Sequence, residues 1–393
     1  MSKHPKPSRI GRFHFDPLLV LVTTALLLIG FVMVASASLH LGVKVAENSN
    51  AFHYPIRQLA HIGLGLFLGT IVALTPLKFW QIAGARLFIV GLALLVLVLI
   101  PGLGVNVNGS TRWLDLGGLR IQVSEVVKYF AVIYMAGYVT RHQQSIRDSA
   151  FGLIKPLLLF SVASLLLLLE PDFGSSVVLL IIAMGIMFLA GARLSQFIML
   201  LTIVAVSATL LVYFEPYRMK RVISFMDPWA DAKDTGYQLV HALIAFGRGE
   251  FLGVGLGSGI QKLYYLPEAH TDFLFSVIAE ELGLAGVLTV ILLFSLLVRR
   301  TFQIALAAEQ LGDHFAAFIA YGLGIWFGFQ AFVNMGVNMG ILPTKGLTLP
   351  LMSYGGGSMM IMCCAVALLF RVQSEVMEMK ANMPKERSRW AVV

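Results

Sequence analysis

Charge is scarce in this chain. Of its 393 residues only 13% are Asp, Glu, Lys or Arg, about half the share found in an ordinary soluble domain. That excludes a well-solvated globular protein, and it excludes a disordered one, which needs charge and few apolar residues. Cysteine is almost missing: Cys363 and Cys364 stand side by side in an apolar run, a spacing that makes neither a disulfide framework nor a zinc site. They read as packing residues of a helix. A nucleotide loop is missing as well. Residues 253–262, GVGLGSGIQK, have the glycines of a phosphate loop without its Gly-Lys-Ser/Thr ending or a preceding buried strand. A glycine-rich turn is the better reading. No internal sequence repeat is visible, so the mark of a transporter built from inverted halves is lacking.

What is present is apolar length. Hydrophobic residues make up 58% of the chain, in runs of about 15–25 residues, enough to cross a bilayer as helix. The expected fold is an all-α polytopic membrane protein. Ten spans are predicted, at 17–37, 57–75, 83–100, 123–140, 156–169, 175–191, 195–214, 272–298, 315–338 and 353–371. Ala35-Ser36-Ala37 resembles a signal-peptidase site, but the run before it is too long for a signal peptide, so an uncleaved first helix is expected. The net charge of +8 sets topology and meets lipid headgroups rather than nucleic acid. Lys and Arg concentrate in one set of short loops and in both tails, which places the termini in the cytoplasm. The expected organisation is a cytoplasmic tail at 1–16, a membrane domain at 17–371 and a cytoplasmic tail at 372–393. Three outer loops follow, 38–56, 101–122 and 215–271, the last long enough to be functional.

The stretch around which these elements are arranged is LPEAHTDFLFSVIAEELG, residues 266–283. Asp272 stands where the long outer loop meets an apolar run, and Glu280 and Glu281 fall inside that run as read from sequence. Carboxylates within membrane segments are costly and more often functional than decorative. Asp272 and Glu280 are eight residues apart, about 12 Å along a helix, against about 6.5–9.5 Å between the carboxyls of an inverting glycosidase. Asp272 therefore acts alone. Glu280 and Glu281 orient a cavity or bond to neighbouring helices. Candidate cations near the outer face are Arg112, Lys128, Arg221 and Lys345. Glu125 and Lys128 share a helix face at i, i+3, and a structural ion pair is the competing reading for them. Gln330, Asn334 and Asn338 form a polar stripe on the ninth span, lining a wet cavity or bonding between helices. The irregular stretch 341–358, ILPTKGLTLPLMSYGGGS, must be buried in protein or line a cavity if it sits at a membrane edge.

At these residues the chain resembles the SEDS (FtsW/RodA) family of cell-wall glycosyltransferases. The resemblance rests on Asn334 to Ser358, running from the asparagine through G-x-x-P-x-x-G to S-Y-G-G. It rests also on YRMKRVISFMDPW with the following GYQ, Gln261-Lys262 and LPEAHTDFLFSVIAEELG, and on Arg112-Trp113 leading to Gln122-x-Ser-Glu-x-x-Lys128. Pro343-Thr344-Lys345-Gly346 is similar to the division branch of the family rather than the elongation branch. Val123, Gly357 and Arg248-Gly249-Glu250 depart from the family pattern and bear on loop shape, since none of them removes a charged residue assigned to chemistry.

The resemblance implies a peptidoglycan glycosyltransferase that polymerises lipid II into glycan strands on the outer face of the cytoplasmic (inner) membrane, at the division septum. Its essential acidic residue matches Asp272. It implies substrate contacts from Arg112, Lys128, Arg221 and Lys345, and from Glu125, Gln238, His270 and Ser353. It implies a class B penicillin-binding protein and other division proteins as partners. No motif marks a metal site, while the pyrophosphate leaves room for a divalent cation, Mg or Mn. A lipid-linked precursor flippase and a non-catalytic division scaffold stand as the alternatives.

Overall fold

In a computed structural model of the chain, the described residues are 14–45, 50–107, 110–117, 119–148, 151–344 and 346–382. The helices are α1 (Pro17–Val45), α2 (His53–Leu74), α3 (Leu77–Leu99), α4 (Val123–Asp148), α5 (Phe151–Leu169), α6 (Phe173–Leu189), α7 (Leu194–Tyr213), α8 (Pro216–Met226), α9 (Tyr237–Gly249), α10 (Leu274–Gln310), α11 (His314–Asn338) and α12 (Gly356–Ala381). Every predicted span falls on a helix. Seven of them, α1, α2, α3, α5, α10, α11 and α12, combine the length and apolarity needed to cross a membrane. The chain is an all-α polytopic membrane protein. α6 is shorter, and α4 is long but carries Glu125, Lys128, Arg141, Arg147 and Asp148.

The stretch between α3 and α4, read from sequence as a plain loop, folds into an antiparallel sheet of β1 (Gly104–Val107), β2 (Ser110–Leu116) and β3 (Leu119–Gln122). Threonine, tryptophan and isoleucine at Thr111, Trp113 and Ile121 suit a pleated surface, and Gly117, at φ 67°, supplies the left-handed turn between β2 and β3. β3 lies on the start of α12, where a Cβ on Gly357 would come within 2.7 Å of the Gln122 nitrogen.

α11 is the central post, buried along its length and packed against α4, α6, α10 and α12. Small residues let backbones approach, as membrane helices require in the absence of a hydrophobic force between them. A Cβ on Gly65 of α2 would lie 3.0 Å from the Cys363 sulfur of α12, so the paired cysteines are packing residues. The end of the bundle rich in Lys and Arg is tied by Arg300, paired to Asp16 at 2.5 Å, and by Glu375 of α12, which accepts from the Leu77 N–H of α3 at 2.9 Å and pairs with Arg371 at 2.7 Å.

At the opposite end, residues 341–344 and 346–355 sink between the helices. A Cβ on Gly30 of α1 would stand 2.5 Å from the Cα of Met352, and Gly30 is about 20 Å along α1 from Pro17. The irregular backbone is satisfied by protein, as burial demands. Gln330 Nε2 donates to the Thr348 carbonyl (3.0 Å), Asn334 Nδ2 to that of Leu347 (2.6 Å), and the Leu349 N–H to Ser353 Oγ (2.9 Å).

α10 corrects one expectation. It breaks at Gly283, whose φ of 64° and ψ of −161° are not helical. Only residues 284–310, about 40 Å of helix, form the membrane-length segment. Glu280 and Glu281 therefore end a separate half-helix, 274–282, instead of lying within one continuous helix. Glu281 accepts a hydrogen bond from Ser36 Oγ at 2.7 Å. Ser36 is about 28 Å up α1 from Pro17.

Candidate active site around Asp272

Asp272 sits in the turn just before the half-helix. That turn is closed by the N–H groups of Thr271 and Phe273, both donating to the Glu268 carbonyl at 3.1 Å. From the other side α11 holds it: Asn334 Nδ2 and Asn338 Nδ2 donate to the Asp272 carbonyl at 2.8 and 2.9 Å. Asn338 Oδ1 in turn accepts from the backbone N–H and the hydroxyl of Ser276. Asparagine is the residue for this task, since one amide both donates and accepts. Of the two readings of the polar stripe, bonding between elements is the one these contacts satisfy. The stripe fixes the backbone of Asp272 and leaves its carboxylate facing the sunken loop, where a Cβ on Gly346 would lie 2.8 Å from Asp272 Oδ2.

The Asp272 carboxyl is half-buried. Burial, reinforced by the negative charges of Glu268 and Asp172 and opposed by Arg112 and Arg221, raises it from 3.8 to about 7. Arg112 on β2 reaches across to the turn between α5 and α6, donating from Nε to the Glu170 carbonyl (3.3 Å) and from Nη2 to that of Pro171 (2.5 Å). Arg221 on α8 donates from Nη1 to the Thr344 carbonyl at 3.4 Å. Both guanidinium groups thus rest on backbone oxygens of loops that border the carboxylate. A base with an ionisation near neutrality beside two cations is suited to take a proton from a hydroxyl while a charged leaving group departs.

The remaining predicted residues are placed as follows. Lys128 is buried in α4, its Nζ 2.8 Å from Glu125 Oε1 and 2.9 Å from Gln330 Oε1, with the Trp326 ring 5.5 Å away. Its ammonium is committed inside the bundle, and the ion-pair reading describes it. His270 precedes Asp272 by two residues, its ring among Tyr54 and Tyr354; burial lowers its ionisation. The Ser353 hydroxyl is used within the sunken loop, accepting from the Leu349 N–H, while its carbonyl accepts from Gln58 Nε2 (3.4 Å). Gln238 is half-buried on the first turn of α9. Lys345 lies outside the described residues.

Two carboxylates were not anticipated. Glu170 and Asp172 are buried in the α5–α6 turn beneath Arg112. Asp172 caps α6 by accepting from the Ser175 N–H at 3.2 Å. Glu170 is raised to about 8 by burial and by Asp172, with Arg112 opposing. Acids on both sides of a proline at a span end, Glu170-Pro171-Asp172, were the available signal. Among the described residues no three His, Cys, Asp or Glu gather as metal ligands.

Residues 17–378 match the FtsW/RodA/SpoVE family, described as cell cycle protein. The chain belongs to that family. It is 63% identical to the probable peptidoglycan glycosyltransferase FtsW of Methylomonas methanica, over 98% of this chain and 99% of the relative. It is 60% identical to the protein of the same name from Methylococcus capsulatus, over 93% and 91%. Among solved structures it resembles a chain of a peptidoglycan synthase complex described as coordinating polymerization and crosslinking, with a TM-score of 0.75 and 30% identity over 92% of this chain and 98% of that one. It also resembles the rod shape determining protein RodA of Thermus thermophilus, with a TM-score of 0.68 and 28% identity over 92% and 97%. The matched residues include the half-helix, the sunken loop and the sheet.

Proposed function

We propose that this FtsW-family chain is a peptidoglycan glycosyltransferase that polymerises lipid II into glycan strands, with Asp272 as the general base. The observation that carries the reading is the Asp272 carboxyl itself, raised to about 7 and bordered by Arg112 and Arg221. In the reaction the acceptor's sugar hydroxyl attacks the anomeric carbon of a growing chain carried on undecaprenyl pyrophosphate. The new C–O bond forms as the bond to pyrophosphate breaks, the configuration inverts, and the hydroxyl proton passes to Asp272. Arg112 and Arg221, with Lys345, stabilise the charge that builds on the leaving pyrophosphate. His270 and Gln238 line the approach. Lys128, Glu125 and Ser353 serve by holding α4, α11 and the sunken loop in register.

The site lies at the end of the bundle opposite the start of α1 and the end of α12, where the basic tails join the chain. With those tails in the cytoplasm, Asp272 faces outward, where the substrate's own pyrophosphate supplies the energy. The membrane domain covers 17–371 with ten crossings, and residues 215–271 form the outer loop that carries α8 and α9. The partners are the lipid-linked substrate, the nascent strand and a class B penicillin-binding protein within a division-site assembly. The flippase reading weakens, since Glu280 and Glu281 are committed to partners within the protein. The scaffold reading predicts that Asp272 is dispensable.

The test is polymerisation of labelled lipid II by the purified protein, alone and with its class B partner, resolved on a gel. A glycan ladder from wild type that vanishes with Asp272→Ala supports the reading. A ladder from both moves the base elsewhere, and lipid transfer across vesicles without any ladder supports the flippase.

A further inference from the structure

The glycine-rich stretch 249–262 and the pair Glu280–Glu281 have no part in the chemistry above, yet they are built onto one another. Residues 249–257 run across the break in α10. The N–H groups of Leu284 and Ala285, left without helical partners by the break, donate to the carbonyls of Glu250 and Phe251 at 2.9 and 3.1 Å. The carbonyls of Glu280 and Glu281, orphaned from the other side, accept from the N–H groups of Val254 and Gly255 at 3.0 and 3.1 Å. Contact is backbone to backbone, which is why glycine recurs. A Cβ on Gly249 would stand 1.8 Å from the Ala279 carbonyl oxygen, and one on Gly253, at φ 79°, would stand 2.1 Å from that of Glu281.

The two carboxylates then close the strap. Glu280 accepts from the N–H groups of Ile260 and Gln261 at 3.0 and 3.1 Å and faces Arg248 Nε at 3.3 Å. Glu281 accepts from the Gly257 N–H at 3.0 Å, from Lys262 Nζ at 2.5 Å and from Ser36 Oγ at 2.7 Å, and Lys262 Nζ also reaches Ser36 Oγ at 2.7 Å. Glu280 and Glu281 are fully buried, and Lys262 is nearly so. The triad ties the strap, the half-helix and α1 to a single point.

The half-helix 274–282 links that point to Asp272. It is about 13 Å long and buried on every side from Leu274 to Glu281, held by the strap at one end and by Asn334 and Asn338 of α11 at the other. Loosening the strap leaves the half-helix tethered by the α11 contacts at one end, and a misplacement of the carboxylate by about 1 Å costs on the order of a hundredfold in rate. We infer that Glu281, through Lys262 and Ser36, is a positioning residue: it fixes the half-helix and so sets the Asp272 carboxylate against the reacting hydroxyl. The inference rests on Asp272 being the base.

The test compares wild type, Asp272→Ala, Glu281→Gln, Gly253→Ala and the double variant Glu281→Gln/Lys262→Met, purified with the class B partner. It reads glycan polymerisation against pH, lipid II binding and thermal unfolding. Expected are at least tenfold lower turnover for Glu281→Gln and Gly253→Ala, lipid II binding within about threefold of wild type, and an altered pH profile, because the carboxylate is re-sited. The double variant removes both buried charges together, so it unfolds near the wild-type temperature and remains slow. Gly253→Ala changes no ionisable group, so its defect reports geometry alone. Wild-type turnover from Glu281→Gln with a null Asp272→Ala overturns the positioning role and leaves the base in place. So does a rate defect that follows lost thermal stability with an unaltered pH profile. Full activity from Asp272→Ala overturns both.

Discussion

Replacing Asp272 by Asn should abolish polymerisation and at the same time make the protein more stable above neutral pH. The carboxyl ionises at 3.8 when free and at about 7 in the fold. Between those values the unfolded chain has lost the proton and the folded one keeps it. The folded state therefore binds more protons there, and wild type loses stability as pH rises from about 4 to about 7, with a constant deficit above. A pKa difference of about 3, at about 1.4 kcal/mol each, is about 4 kcal/mol. Solvent screening of the half-buried carboxylate reduces this to on the order of 2 kcal/mol. Asparagine has no proton to lose and carries no deficit. For a chain of this length that is a rise of about 2–5 °C in Tm at pH 8, shrinking to none near pH 4. Cys363 and Cys364 are free and buried, so a thiol-reactive dye in detergent reports unfolding in wild type and variant alike. A Tm difference that stays the same from pH 4.5 to pH 8 would refute the claim that burial of this carboxyl is costly. Polymerisation by the variant would refute its role as base.

Because the base must be ionised to act, turnover under conditions where chemistry limits should rise about tenfold from pH 6 to pH 8 and level off above; a flat profile points to another proton acceptor. Gly346→Ala should lower turnover at least tenfold with folding intact. Its Cβ arrives 2.8 Å from Asp272 Oδ2, and the carboxylate, the movable partner, has to turn aside; normal rates in the gel assay would show that this edge of the carboxylate is not where the hydroxyl binds. Lys128→Met should cost folded yield before it costs catalysis, since it leaves Glu125 buried without its ion pair, a loss of about 3–5 kcal/mol. The double variant Glu125→Gln/Lys128→Met should recover much of the yield. A well-folded but inactive Lys128→Met would put the ammonium back in the chemistry.

Local chemistry made much of this molecule legible from the chain alone. Apolar runs of bilayer length mark helices wherever they occur, because no other open structure satisfies its backbone in lipid. Asp272 announced itself as a carboxylate at the edge of such a run, and the glycine and proline pattern of 341–358 announced a sunken loop. The asparagine stripe was visible, although sequence left open whether it faced water or other helices.

What the chain alone left open depends on partners distant in sequence. Gly283 breaks α10 only because residues 249–257 supply the hydrogen bonds that the break removes, so Glu280 and Glu281 read as part of one continuous helix until that pairing is seen. Lys128 looked available because its partners, Gln330 and Trp326, come from a helix some two hundred residues away. Glu170 and Asp172 gained importance only when β2 carried Arg112 over their turn. The sequence by itself determined that helices form and where polar residues interrupt them, since these follow from the apolar length and side chains of each segment. The tertiary structure decided which buried charges are satisfied and which carboxylate stays half-buried and raised to about 7, because burial and charge pairing are properties of neighbours in space.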